Sequence, residues 1–100
     1  KETPMTVFVL ARFKNHNRKQ YEKYATAFLH HFGQHKGTAL VSDENVVVKE
    51  GTWDNTKAVL LSFPDEAAFE DWALSDEYQE IAKDRREATD GSVILLHGLQ

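Results

Sequence analysis

Apolar residues fall along this chain in two rhythms. In Met5–Phe13, Lys57–Phe63 and Ser92–His97 nearly every position is apolar or β-branched, at both parities. Such runs predict strands with both faces covered. In the first of them Val7, Val9, Ala11 and Phe13 share one face, and Phe8 and Leu10 share the other as far as Arg12. Elsewhere the spacing is three and four. Tyr21, Tyr24, Ala25, Phe28, Phe32 and His35 form one stripe, which predicts a helix from about Arg18 to His35. Asn17 is its N-cap and Gly37 its terminator. Pro64 stops a strand and opens a helix with Asp65 and Glu66 in its first turn, burying Phe69, Trp72 and Ala73. Ser75 caps a second helical piece, Asp76 to about Ala88, with Tyr78, Ile81, Ala82 and Arg85 at helical spacing. Thr38–Val41 and Val46–Gly51 read as short strands around a Ser42–Asn45 turn, forming a hairpin or a bulged edge. Trp53-Asp54-Asn55 and Asp90-Gly91 read as turns, and Lys1–Pro4 as a loose lead-in.

The order is β-α-β-β-α-β, the ferredoxin-like topology, an α+β antiparallel sheet with its helices on one face. Two-faced strands then leave an apolar sheet face without a cover. A second copy supplies it, which predicts a two-fold homodimer packed sheet to sheet. At a typical ~800 Å² per partner and ~25 cal/mol per Å², the gross burial is several kcal/mol.

Composition removes function classes. One hundred residues make one domain, spanning 1–100. A net charge of −4 provides no basic footprint for nucleic acid or an acidic membrane surface. The absence of cysteine excludes a disulfide scaffold, a thiolate metal site and a cysteine nucleophile, and fits a cytoplasmic protein. No apolar run is long enough to span a membrane, and the opening residues lack the apolar core of a signal peptide. Phosphate loops, nucleophile elbows and paired carboxylates are absent.

Several motifs together resemble one family. Phe63-Pro64-Asp65-Glu66-Ala67-Ala68, Trp72, Ser75-Asp76-Glu77-Tyr78-Gln79, Arg85, and Val93-Ile94-Leu95-Leu96 before Gly98 resemble the domain-of-unknown-function family 1330. Tyr21 and Tyr24 match its paired helix tyrosines, and Glu50-Gly51 with Trp53-Asp54 match its E-G-x-W-D. The resemblance runs from about Thr6 to Leu99. It implies the dimeric α+β barrel superfamily, whose members include cofactor-free monooxygenases, lactone isomerases and haem-degrading enzymes, and whose ligand cleft lies between helices and sheet. Fold alone does not carry their chemistry. Lys36-Gly37 departs from a common Gly-Gly. Arg12 and His97 stand where acidic residues are common; if the family has a carboxylate-based mechanism at those two positions, this member has lost it.

The cleft implied by the resemblance would be lined by Tyr24, Phe28, His31, Trp53, Trp72, Tyr78 and Arg85. The competing reading for the aromatics, with Tyr21, Phe32 and Phe69, is plain core. His31 and His35 share a helix face but lack a third ligand at readable spacing, so no metal is expected. Helix-end histidines also answer the helix dipole. His31 or His97 as a general base or haem ligand is the weaker alternative. Arg12, Ser62 and His97 are read by parity as one polar group facing the partner subunit. Arg85, with Glu77, Asp84 and Lys83 nearby, either clamps an anionic substrate group or fastens its helix by an ion pair. The functional expectation is a small molecule, apolar or aromatic, bound without a cofactor and acted on in a monooxygenase- or isomerase-like way. The alternatives are a non-catalytic homodimeric module and a haem-binding relative. No residue is assigned a catalytic role.

Overall fold

A computed structural model describes residues 5–99, so the expected lead-in, Lys1–Pro4, lies outside the described residues. The elements are β1 (Val7–Asn15), α1 (Arg18–Phe32), β2 (Thr38–Asp43), β3 (Lys57–Phe63), α2 (Glu66–Ala73), α3 (Asp76–Ala88) and β4 (Thr89–His97). The four strands form one antiparallel sheet in the order β2-β3-β1-β4. This is the ferredoxin-like α+β fold.

Local chemistry sets the helix starts. Asn17 accepts from the Gln20 N–H, Asp65 from Ala68 and Ser75 from Tyr78. α1 ends at Gly33, which has ordinary helical angles, before Gly37 is reached. Gly37 is needed for space: a Cβ there would run into the Phe32 ring and lie 2.7 Å from Phe63 Cε2. Gly91 lies inside β4, not in a turn, because β4 starts at Thr89 and pairs Gly91 with Phe13. A Cβ at Gly91 would strike the Arg12 carbonyl.

The expected strand Val46–Gly51 does not form. β2 takes the edge of β3, from Ala58 to Ser62, and the run pairs neither with it nor with any other strand among the described residues. Val47 is 71% exposed. The irregularity expected in this region lies earlier, as a bulge between Ala39 and Val41.

The sheet register separates two faces. Val7, Val9, Ala11, Phe13, Leu61 and Phe63 are buried, on the face that the aromatic rings of the helices cover. Phe8, Leu10, Leu60, Ile94 and Leu96 lie on the other. That second face is bare among the described residues: Ile94 is 46% exposed and Leu96 44%.

Candidate functional site

The aromatic stripe of α1 has two unlike ends. Toward its C-terminus Phe28 and Phe32 stack at 4.9 Å between centroids. Phe32 meets Trp72 edge-on at 5.3 Å and Phe63 at 5.8 Å, and Phe69 meets Phe63 at 5.6 Å. These are the tilted and edge-to-face contacts of a packed core. Toward its N-terminus, Tyr21 and Tyr24 border a cavity of about 180 Å³. Val9, Ala11, Phe13, Val59 and Leu61 form its floor on the sheet, with Ala25 and Phe28 on α1 and Trp72, Tyr78 and Arg85 on the opposite wall. Leu29, Val41 and Val93 also line it and are exposed, so it opens to the surface.

Its polar groups are few. Tyr24 and Tyr78 hydroxyls lie 2.9 Å apart, buried, joining α1 to α3. Burial, followed by the neighbouring Tyr78, raises the Tyr24 phenol well above its ordinary range. Burial also raises Tyr21 to about 12, against the opposing influence of Arg85. Both therefore stay protonated at neutral pH. The Arg85 guanidinium carbon lies 5.5 Å from the Phe13 ring and 5.8 Å from that of Tyr24. Trp72 Nε1 is buried and makes no hydrogen bond with any described residue.

Of the seven residues expected at the site, Tyr24, Phe28, Trp72, Tyr78 and Arg85 line this cavity. His31 and Trp53 do not. His31 is buried at 3% exposure, its ring stacked near Tyr78 and its Nε2 3.3 Å from His35 Nε2 and 3.7 Å from Glu77 Oε1. Its Nδ1 has no hydrogen-bond partner among the described residues. Among the described residues, no three or more of His, Cys, Asp or Glu are grouped to hold a metal ion. Trp53 is half-buried in the irregular segment between β2 and β3.

The parity group Arg12, Ser62 and His97 is corrected by the register. Arg12 pairs with Ser92 and Ser62 with Phe8, but His97 pairs with Val7 and so belongs to the helix-covered face. There it lies 3.7 Å from Glu66 at the margin of the sheet. Arg12 instead donates through Nε to Ser92 Oγ at 3.2 Å. The ion pair considered for Arg85 is also absent among the described residues: Lys83 pairs with Glu80, Glu77 is nearest His31, and Asp84 accepts from Gln20. Lys57 and Ser42 were missed as lining residues. Lys57 was findable, since it shares the parity of Val59, Leu61 and Phe63. Ser42 was not, because the bulge resets the facing of β2.

The family model for a domain of unknown function, DUF1330, matches residues 6–99. The chain belongs to the DUF1330 family. No curated protein matches its sequence. Among solved structures this DUF1330 protein resembles RPA0582, a protein of unknown function from Rhodopseudomonas palustris, with a TM-score of 0.75 at 20% identity, over 100% of this chain and 85% of that one. It resembles SnoaB, a cofactor-independent oxygenase from Streptomyces nogalater, with a TM-score of 0.70 at 18% identity, over 96% and 95% of the two chains. A dimeric ferredoxin-like protein of unknown function from Thermobifida fusca gives 0.70 at 12%, over 98% and 95%. At these identities the likeness is one of fold. Among the described residues no helix is long and apolar enough to cross a membrane.

Proposed function

We propose that this DUF1330 protein binds a small, largely apolar or aromatic molecule in the cavity between α1, α3 and the sheet. One observation carries the reading: the ring-lined space of about 180 Å³, open at Leu29 and Val93, with a handful of hydroxyl and cationic groups on its walls. A comparable engineered cavity of ~150 Å³ holds benzene. Single-ring compounds should therefore raise the melting temperature and shift the amide resonances of Tyr24, Ala25 and Tyr78. Ala25→Trp, which fills the space, should abolish both effects. A screen of single-ring compounds that moves neither would leave the non-catalytic module, which the close ring packing of Phe32, Phe63 and Trp72 also favours.

Catalysis without a cofactor, of the monooxygenase or isomerase kind, is the finer part of the proposal. The fold shared with a cofactor-independent oxygenase supports it. Among the described residues no carboxylate or histidine lines the cavity, and Tyr21 and Tyr24 hold their protons. A reaction here would rest on the substrate's own acidity and on positioning. Oxygen uptake with hydroxylated single-ring substrates, abolished by Ala25→Trp, is the test.

The assembly belongs to the same proposal. Phe8, Leu10, Leu60, Ile94 and Leu96 make an apolar sheet face that a second copy would cover, in a cytoplasmic homodimer. Sedimentation should give a dimer at micromolar concentration, and Leu60→Glu should give a folded or unstable monomer. A wild-type monomer would remove the dimer from the proposal.

A further inference from the structure

We infer that the ligand of the cavity is an anion whose charged oxygens are taken by Arg85, its apolar ring lying against the tyrosine and sheet walls. This deepens the proposed function and rests on the cavity being a binding site.

The charge census of the walls carries it. Among the described residues two cationic side chains, Arg85 and Lys57, line the cavity, and no Asp, Glu or His does. In a chain of net charge −4 that is a local inversion of sign. The two cations are not equivalent. Lys57 Nζ lies 3.8 Å from Glu44 Oε2 and 5.0 Å from the Tyr21 ring centroid, so a carboxylate already answers its charge. Arg85 has no carboxylate within 4 Å among the described residues, and its guanidinium makes no hydrogen bond with any of them. It is held by ring faces, which attract a cation but accept none of its five N–H donors in their plane. The next residue, Arg86, turns away and donates to Gln79. A planar guanidinium fixed by rings and left with unused donors matches a carboxylate or phenolate.

The hydroxyls agree in polarity. Between Tyr24 and Tyr78 one hydroxyl donates to the other, which leaves one O–H hydrogen over for a ligand acceptor. With that second hydrogen uncommitted, the pair meets a ligand as a donor. The site offers donors and expects oxygens.

The test compares benzoate with benzyl alcohol, matched in size and differing in charge, by calorimetry or amide-shift titration. With wild-type protein benzoate should bind about tenfold tighter or more, the difference expected of a hydrogen bond to a charged group. Arg85→Met should remove that preference while benzyl alcohol binds as before, and Arg85→Lys should restore part of it. Circular dichroism checks that each variant folds. If benzyl alcohol binds and benzoate binds no better, the anion assignment fails and the cavity reading stands. If Arg85→Met keeps the preference, Arg85 is not the anchor. If neither compound binds wild-type protein, the cavity reading fails and this inference falls with it.

Discussion

The two ends of the α1 stripe are built from the same kind of residue at the same spacing, yet one is core and the other borders a space. At the phenylalanine end, Phe28, Phe32, Phe63, Phe69 and Trp72 pack ring on ring, and a Cβ at position 37 would press on Phe32 and Phe63. At the tyrosine end, small residues across the sheet and helix, Ala11, Ala25 and Ala39, leave room in front of Tyr21, Tyr24 and Tyr78. Ring count does not distinguish site from core. The side chains facing the rings do.

The largest test of that contrast is at its boundary. Trp72→Ala should cost about 3–5 kcal/mol in urea unfolding, since Trp72 closes the packed end. A cost below that range would mean that the packed end is looser than its ring distances say. Next come two added groups. Gly37→Ala presses on Phe32 and Phe63 and should cost about 1–3 kcal/mol, whereas Ala25→Met grows into the cavity and should change stability by less than that. Equal costs would erase the distinction between the ends. A smaller effect separates the hydroxyl pair from its rings. Tyr78→Phe should cost about 1 kcal/mol by leaving the Tyr24 hydroxyl alone, and adding Tyr24→Phe should recover part of it. A double variant weaker than the sum of the two single changes would contradict the pairing.

A further test is alkaline. The Tyr21 phenol is raised from 10.0 to about 12 by burial, so folding favours its neutral form. That contribution is complete below pH 10 and lost as pH rises through 12. Tyr21→Phe should therefore lose less stability than wild type across that interval, followed by denaturant midpoints. Parallel loss in both proteins would place Tyr21 in water.

Much of this was legible from residue order. The two-faced strands, the stripe and the caps at Asn17 and Ser75 are local signals, and they survive into the fold because packing agrees with them. What failed depended on partners. Val46–Gly51 has strand propensity, yet it pairs with no strand among the described residues. His97 could not be assigned a face without knowing that it sits opposite Val7. Trp53 belongs to a segment whose course follows no periodicity. The cleft was expected only through the family resemblance; the residue pattern by itself did not show it, because the space arises from alanines on three different elements meeting across space. Arg85 was legible as a choice between a clamp and an ion pair, and only the fold shows which carboxylates are engaged elsewhere.

The hydroxyl contact between Tyr24 and Tyr78 has one more consequence. Helices packed by rings alone can slide past one another by part of a turn at little cost, because ring contacts are tolerant of offset. A pair of oxygens 2.9 Å apart is not. It spans 54 residues of chain and ties the middle of α1 to the first turn of α3 at a single relative height and rotation. The pair acts as an alignment pin between the two longest helices, and it fixes the width of the space between them.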